Sequence, residues 1–512
     1  MKAHLMHEDR DFDPQSSLPS NAVELTQDLA LEVLLEAMAG GDPFLLEVAR
    51  KALLTSLRER EIPYRQQILI DCVERSEVVR EIYNLAVDAI EREKRIWGWM
   101  TSKYPAEMLH RSVEVLELFA GLLTQLRHIA DQHGAMFHSV GFGRFFGMLA
   151  KELDDDYLGR VADHLVRLAF RGGVLMSAEL GPGNKGIHYV LRQPPDERGG
   201  WIERLQDWVA QFKQNSDDSF TYEVAERDEA GFNALSELKS HGIGSVAAAL
   251  AQSTNHILDF FKMLRVELGF YVGCLNLRDR LAAKGDGVCI PQIAGAEEIA
   301  LSGCGIYDPS LALSMQSLIV PNDIAADGQY LVIVTGANRG GKSTLLRALG
   351  MAQLMMQCGM FVAADSFRAS VCDGVFTHFK RKEDASMNSG KLDEELRRMS
   401  AIVDKLTPNC LALLNESFAS TNEREGSEIA RQIVRAMLQS RVRVICVTHM
   451  FDLAHGFFSE RSPTALFLRA ERLENGERTF QLREGEPLPT SFGEDIYRRI
   501  FAGKHSEPQL QP

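Results

Sequence analysis

Hydrophobic residues recur at helical spacing through about the first 280 residues of the chain. The stretches 21–57, 64–97 and 250–281 keep a period near 3.6 residues, and shorter amphipathic stretches lie between them. A Gly-Gly-Asp-Pro sequence at 40–43 divides the first stretch, because these residues favour a turn over a helix. The pattern predicts a mostly α-helical first half with one interruption at 173–192, where two strand-like runs around a Gly-Pro-Gly-Asn turn predict a small β-hairpin.

The pattern changes after residue 284. Short apolar runs of strand type at 330–336, 411–417 and 442–449 now alternate with helical stretches, which predicts a parallel sheet with helices on its faces. A chain of 512 residues is also too long for one hydrophobic core. We therefore predict a multidomain protein with a disordered polar tail at 1–20, a helical region at 21–284, an α/β domain at 285–503 and a frayed tail at 504–512.

Composition narrows the class of protein. The hydrophobic fraction of 45% and the charged fraction of 25% are those of a soluble globular protein. No apolar run approaches the ~18 to 20 residues of a membrane span, and the N-terminal residues lack the apolar core of a secretory signal. The eight cysteines form no C-x-x-C pair, which indicates reduced thiols rather than disulfides or a zinc site. We expect a cytoplasmic protein without a membrane partner.

A phosphate-binding motif lies between one predicted strand and the helix that follows it. Residues 336–343, GANRGGKS, fit the pattern G-x-x-x-x-G-K-[ST] at each fixed position. The glycines would let backbone N–H groups surround the phosphates, and the helix N-terminus would point at the same anion. Lys342 would bridge the β and γ phosphates, and Ser343 would hold Mg²⁺. The motif predicts an ATP site formed by Gly336, Ala337, Asn338, Arg339, Gly340, Gly341, Lys342, Ser343 and Thr344.

Two further strand ends carry side chains that an ATPase needs. The apolar run 411–414 ends in Asn415 and Glu416, and Glu416 is placed to polarise the attacking water as a general base. Asn415 occupies the position where an Asp usually holds the Mg²⁺ shell, and an amide brings no charge, so we predict weaker Mg²⁺ binding and slow turnover. The third strand ends at His449, which could sense the γ phosphate.

These motifs, in this order, resemble the MutS family of DNA mismatch-repair ATPases. TGANRGGKST at 335–344 resembles that family's TGPNMGGKST, and NESFASTNEREGSEIA at 415–430 resembles DEIGRGTSTYDGLAIA. The dense part of the resemblance covers 319–458, and a looser similarity extends upstream through the helical region. The resemblance implies a core and lever domain before residue 285, a P-loop ATPase domain after it, and a homodimer formed by the ATPase domains around two nucleotides.

Departures from the family pattern bear on DNA recognition. The family's mismatch-reading N-terminal domain has no room here, because helical features begin near Asn21. The family's STF signature, which reaches the partner subunit's nucleotide, aligns near Gly390, so Ser389 is the residue expected to supply the hydroxyl. These differences argue against direct mismatch recognition and leave the ATP switch unaffected.

Two classes of function fit the sequence. The first is a nucleotide-gated DNA-binding factor in mismatch repair or a related repair or recombination process, acting on double-stranded or branched DNA. Its support includes basic islands at 92–95, followed by Trp97 and Trp99, and at 380–382, although such runs are more often solvated helix faces. The second is an ATP-gated switch that docks to a protein partner. The net charge of −15 favours the second, because DNA affinity depends largely on Lys and Arg.

Overall fold

The chain is described by a computed structural model whose contacts divide it into two compact units. The residues described are 1–97, 105–169, 176–180, 182, 186–191, 229–381, 390–474 and 476–489. Unit 1 comprises Met1–Ala3, Glu81–Ala135 and Phe145–Arg265, and unit 2 comprises His4–Arg80, Met136–Arg144 and Val266–Pro512. The units do not follow the order of the sequence, and the predicted boundary at 284/285 falls inside unit 2. The predicted frayed tail at 504–512 lies outside the described residues.

Helices form most of the described chain before residue 283, as the hydrophobic period predicted. They are α1 (Ala22–Asp28), α2 (Leu31–Ala39), α3 (Pro43–Leu54), α4 (Glu61–Glu74), α5 (Ser76–Trp97), α6 (Pro105–His133), α7 (Val140–Glu152), α8 (Asp155–Leu168) and α9 (Glu229–Ala282), with a short 3-10 helix at Gly134–Met136. The predicted turn at 40–43 connects the end of α2 to the start of α3. There the Asp42 carboxylate accepts the N–H of Phe44 at 2.8 Å, and Pro43 occupies the first helical turn, where its missing N–H costs nothing.

Unit 1 has its own small core and the predicted hairpin. Side chains of α6, α8 and α9 meet in a buried cluster formed by Leu109, Val113, Leu116, Leu165, Ile243 and Ala247. The hairpin consists of β1 (Met176–Leu180) and β2 (Gly186–Leu191), which pair antiparallel with Met176 opposite Leu191. The expectation of one β interruption in the helical half is therefore confirmed for the described residues.

The N-terminal segment of unit 2 is packed, although it forms neither helix nor strand. We call residues 4–12 the strap. Within the strap, Leu5, Met6 and Phe12 are buried, and the side-chain oxygens of Glu267 on α9 accept the backbone N–H of Leu5 at 2.6 Å and of Phe12 at 3.2 Å. The prediction of a disordered tail is wrong for this segment, because a polar sequence with a few apolar residues is held by hydrogen bonds to its backbone.

Unit 2 also contains two sheets. The strands are β3 (Gln292–Ala294), β4 (Leu301–Ile306), β5 (Asn322–Ala325), β6 (Leu331–Gly336), β7 (Ser366–Ser370), β8 (Val375–Phe379), β9 (Leu411–Asn415), β10 (Arg443–Val447), β11 (Ala465–Arg472) and β12 (Arg478–Glu484). Six of them form one sheet in the order β12-β11-β6-β10-β9-β8, which is parallel from β11 to β8 and antiparallel between β11 and β12. The other four form a sheet in the order β3-β7-β4-β5.

Helices cover both faces of the six-stranded sheet, as the continuous apolar strands predicted. The helices of this half are α10 (Pro309–Ser314), α11 (Lys342–Gln357), α12 (Lys391–Val403), α13 (Glu423–Gln439) and α14 (Phe451–Ser459). On one face, side chains of α12, α13 and α14 such as Met399, Val434 and Leu453 join a core with alternate residues of β6, β9 and β10. On the other face α11 approaches so closely that a Cβ on Gly350 would lie 2.6 Å from Leu413.

Two expectations from composition can be compared with the structure. All eight cysteines lie in the described residues, and each is a free thiol there. In the described part of the chain, every helix is too short or too polar to cross a membrane.

Candidate functional site

The glycine-rich segment 336–343 forms the tight connection between β6 and α11. Gly336 and Gly341 have φ angles of 107° and 92°, in the left-handed region that favours glycine. The loop also lies directly on β11, because a Cβ on Gly336 would be 2.8 Å from the backbone nitrogen of Ala470. Ala337 is buried, whereas Asn338 and Arg339 are exposed at the tip of the loop. Glycine is therefore required here by both backbone conformation and close approach.

Lys342, the first residue of α11, turns back into this loop. Its side chain is almost fully buried, and Nζ donates hydrogen bonds to the carbonyl oxygens of Gly336 at 2.9 Å and Ala337 at 3.0 Å. Burial lowers the pKa of Lys342, and the positive charge of Arg478 acts in the same direction, while Glu416 opposes the change. A buried ammonium whose hydrogen-bond acceptors are neutral carbonyls creates a positive potential inside the loop, which suits an anion.

Ser343 meets the end of β9 across the sheet edge. Its hydroxyl donates a 3.0 Å hydrogen bond to Oδ1 of Asn415, the last residue of that strand. Hydroxyl and amide oxygens are ligands that Mg²⁺ accepts, and both are neutral. Among the described residues, no three His, Cys, Asp or Glu side chains cluster so that they could hold a metal ion by themselves. Any Mg²⁺ held by Ser343 and Asn415 would therefore depend on anionic oxygens from a ligand.

Glu416 and His449 lie at the ends of neighbouring strands. The register pairs Asn415 of β9 with Val447 of β10, and the Glu416 N–H donates to the Val447 carbonyl at 2.8 Å. The distance from His449 Nδ1 to Glu416 Oε1 is 3.7 Å, too long for a hydrogen bond but within reach of an ion pair. Contact with His449 lowers the pKa of Glu416, and Lys342 and Lys380 add to the effect. Glu416 is therefore a carboxylate at neutral pH.

The fold thus brings the predicted chemical groups together at one edge of the sheet. The strands β6, β10 and β9 are adjacent and parallel, so their carboxyl ends meet there, and each is followed by predicted site residues. Thr344 follows Ser343 in the first turn of α11. Ser389 lies outside the described residues, so its predicted role stays a prediction.

An apolar cleft beside the loop was not predicted from the sequence. It has a volume of about 400 Å³ and is lined by Leu318, Ile319, Val320 and Phe480 together with the loop-side residues Arg339, Gly341 and Thr344. Leu318, Val320 and Phe480 are 78%, 36% and 47% exposed, so the cleft presents a patch of apolar side chains rather than one exposed leucine. The apolar residues 318–320 were the only sign of this cleft in the sequence. Without their exposure, three consecutive apolar residues cannot be distinguished from part of a buried strand. A wider cleft of about 770 Å³, between the four-stranded sheet and β11–β12, contains none of the loop residues, so volume alone does not locate the chemistry.

Two family models match the chain in an order that agrees with this architecture. The model described as the MutS2 N-terminal domain matches residues 58–284, which run from just before α4 to just after α9. The model described as MutS domain V matches residues 332–496, which begin in β6 and include the glycine-rich loop. Both matches lie after the strap and α1–α3.

Individual relatives match over 149 to 226 residues. The DNA mismatch repair protein MSH3 of Arabidopsis thaliana is 34% identical over 149 residues, which are 28% of this chain and 14% of that protein. The DNA mismatch repair protein MutS of Porphyromonas gingivalis is 29% identical over 212 residues, 38% of this chain and 24% of that protein. Endonuclease MutS2 of Lacticaseibacillus casei is 27% identical over 226 residues, 43% of this chain and 28% of that protein. The chain thus spans between about a seventh and somewhat over a quarter of the length of these relatives. The two family models, which match one after the other along the chain, show that it belongs to the MutS family.

Proposed function

We propose that the chain is a P-loop ATPase that binds ATP with Mg²⁺ at residues 336–344 and hydrolyses it. The observation that carries this proposal is the meeting of Lys342, Ser343, Asn415, Glu416 and His449 at the carboxyl ends of three adjacent parallel strands. That edge is where open parallel sheets bind their ligands. The buried ammonium, the helix N-terminus and the glycine loop all favour a phosphate group.

The apolar cleft supports a nucleotide rather than a simple phosphate. Its loop-side residues Arg339 and Thr344 belong to the phosphate-binding segment, and its other wall is apolar. A purine base offers a flat apolar surface of the size that such a cleft accepts, and the phosphates would then extend along the loop toward Lys342. On binding, the γ phosphate would replace the carbonyl oxygens of Gly336 and Ala337 as the partner of the ammonium.

Hydrolysis would use the two strand ends beyond the loop. Glu416 would hold and polarise the attacking water, and the adjacent His449 would contact the γ phosphate and fix the orientation of the Glu416 carboxylate. Ser343 and Asn415 would hold Mg²⁺, which when bound neutralises charge on the phosphates. Because both ligands are neutral, we expect Mg²⁺ affinity to be lower than with an Asp at position 415, and turnover to be slow.

The biological role proposed first is that of a nucleotide-gated DNA-binding factor in mismatch repair or a related repair process. The names of the relatives MSH3, MutS and MutS2 support it. In this proposal two chains pair through their ATPase domains around two nucleotides, and Ser389 of each chain reaches the nucleotide of the other. The helical region then carries the nucleotide state to double-stranded or branched DNA.

One observation favours the second role, an ATP-gated switch that docks to a protein without reading a mismatch. Arg92 and Arg95 of the first basic island lie 3.1 Å and 3.9 Å from the carboxylates of Asp88 and Glu91, one helical turn earlier. These ion pairs reduce the charge that the island can offer to a phosphate backbone. In the second island, the charge of Lys380 helps to lower the pKa of Glu416, and Lys382 lies outside the described residues.

Steady-state ATP hydrolysis by the purified chain tests the proposal. The assay would be run without DNA and with homoduplex, mismatched, single-stranded and branched DNA, with Lys342→Ala as the blank. Hydrolysis above the blank that responds to one form of DNA supports the first role, and binding should then weaken steeply between low and moderate salt. Hydrolysis that ignores every DNA supports the second role. Hydrolysis no faster than the blank under all conditions would exclude the ATPase.

A further inference from the structure

The loop that carries Glu416 has an unusual backbone. Glu416 and Phe418, neither of them glycine, have φ angles of 53° and 62°. Residues with a side chain seldom adopt this left-handed conformation, and when they do the surrounding structure must hold them there. Phe418 is buried, and its carbonyl oxygen would lie 2.4 Å from a Cβ on Gly426, so the loop is also confined from the side of α13.

Polar side chains of β8 and α12 hold this loop through hydrogen bonds. We call His378, Glu395, Ser417 and Ser420 the brace. The Ser417 hydroxyl lies 2.7 Å from Nδ1 of His378, and the Ser420 hydroxyl donates to Oε1 of Glu395 at 2.8 Å. The second ring nitrogen of His378, Nε2, lies 3.1 Å from the backbone carbonyl of Glu395. His378, Glu395 and Ser417 are all buried. The brace therefore ties both ends of the segment 417–420 to β8 and α12.

The protonation of His378 fixes the direction of these hydrogen bonds. Burial lowers the pKa of His378 to about 4, with Arg398 acting in the same direction, so the ring is neutral at pH 7 and carries one N–H. The carbonyl of Glu395 can only accept, so that N–H is at Nε2. Nδ1 and the backbone carbonyl of His378, at 2.7 Å and 2.9 Å, then both face the single proton of the Ser417 hydroxyl. The ring stacks on Phe418 at a centroid distance of 5.5 Å, which orients it further.

The brace contains a buried carboxyl oxygen that packing alone does not explain. Oε2 of Glu395 is buried and has no hydrogen-bond partner in the part of the chain that is described. A buried carboxyl with one unsatisfied oxygen is costly compared with an apolar side chain of similar size. A carboxyl at this place is therefore better explained by what its other oxygen holds, the hydroxyl of Ser420 in the loop that begins at Glu416.

We propose that Glu395 and His378 are positioning residues for Glu416, so that the placement of α12 decides whether the Glu416 carboxylate is aligned for hydrolysis. This inference rests on the proposed ATPase function. Neither residue is among the predicted nucleotide ligands, so both act through Ser417 and Ser420 on the loop. Loss of the brace should therefore lower the hydrolysis rate while leaving ATP binding at Lys342 and the apolar cleft intact.

The test compares kcat with the dissociation constant for ATP in variants of the brace. Glu395→Ala and Ser420→Ala should each lower kcat by about tenfold or more and change the dissociation constant less than about twofold. Glu395→Gln keeps an oxygen that can accept from Ser420 and should restore kcat to within about threefold of the wild type. The double variant, Glu395→Ala with Ser420→Ala, should be no slower than the slower single variant, because both substitutions remove the same hydrogen bond. Asp393→Ala, at an exposed position of the same helix, is the matched control.

The outcomes separate this inference from the ATPase proposal. Unchanged kcat in both Glu395→Ala and Ser420→Ala overturns the brace alone, as does an equal loss in ATP binding and turnover, or no rescue by Glu395→Gln. If Glu395→Ala does not fold, Ser420→Ala decides, since it removes only a part-buried hydroxyl. A wild type that hydrolyses no ATP above the Lys342→Ala background overturns both proposals together.

Discussion

The hydroxyl of Ser343 donates a 3.0 Å hydrogen bond to the amide oxygen of Asn415, although 72 positions separate the two residues in the chain. This contact joins the first turn of α11 to the end of β9, where a nucleotide-bound metal would be held. Because neither side chain carries charge, the attraction that holds Mg²⁺ at this place should come mainly from the phosphates of the nucleotide.

Asn415→Asp should therefore strengthen the metal dependence of ATP binding. The change keeps the shape of the side chain and adds one negative charge, so ATP should bind several-fold more tightly with Mg²⁺ and more weakly in EDTA, where the new carboxylate repels the phosphates. Equilibrium binding of ATP, measured across a series of Mg²⁺ concentrations, checks both signs. Asn422→Asp is the control, because Asn422 caps α13 by accepting the N–H of Glu425 at 2.9 Å and Asp caps a helix equally well. An identical Mg²⁺ dependence in wild type and Asn415→Asp would contradict the assignment of Asn415.

Lys342→Ala should abolish nucleotide binding. The substitution removes the buried ammonium that we expect to contact the β and γ phosphates, and the dissociation constant should rise by about a hundredfold or more. Calorimetric titration with ATP checks this, with Lys405→Ala as the matched control because Lys405 is exposed near the end of α12. Binding within about threefold of the wild type would remove Lys342 from the site.

Glu416→Gln should separate binding from hydrolysis. The amide cannot accept a proton from water, so turnover should fall by about a hundredfold or more while ATP still binds. If two chains pair around bound ATP, this variant should accumulate as an ATP-dependent dimer in sedimentation experiments. Glu428→Gln, at an exposed position on α13, should behave as wild type. Wild-type turnover in Glu416→Gln would show that another group activates the water.

Opposite pH responses are expected from two buried groups around the strap. Burial raises the pKa of Glu267 from 4.5 to about 7, so the folded strap favours the protonated carboxyl and loses stability as the pH rises from 4.5 to 7. Burial lowers the pKa of His7 from 6.5 to about 4, so neutral His7 is favoured and stability is lost as the pH falls from 6.5 to 4. The two effects oppose each other between about pH 4.5 and 6.5.

Single substitutions should reveal these opposing effects. In Glu267→Gln the strap should become more stable as the pH rises from 4.5 to 6.5, because of these two groups only His7 still titrates. In His7→Gln the strap should become less stable over the same pH range, because of these two groups only Glu267 still titrates. Hydrogen exchange of the peptide that covers residues 4–12, corrected for the intrinsic pH dependence of exchange, gives the opening free energy directly. Slopes of the same sign in the two variants would contradict the account.

The sequence by itself determined the elements and much of the site. The 3.6-residue period predicted the helices, the Gly-Pro-Gly-Asn turn predicted the hairpin, and the alternation after residue 284 predicted the parallel sheet. Asn415, Glu416 and His449 could be found because each lies just after the end of an apolar run, and Lys342 because it has a fixed place in the glycine-rich motif. Parallel strands end at one edge of a sheet, so a local pattern was sufficient to bring them together.

Only the tertiary structure decided the features that depend on distant partners. The strap resembles a disordered segment in sequence because the residues that hold it, Glu267 and Arg65, lie far away along the chain. Both form hydrogen bonds with the backbone of the strap, so its own side chains show no pattern that would predict the contact. The apolar cleft depends on the exposure of Leu318, and the brace depends on β8, β9 and α12 meeting around His378 and Glu395. Burial and hydrogen-bond partners are set by the packing of whole elements, so no short stretch of sequence contains them.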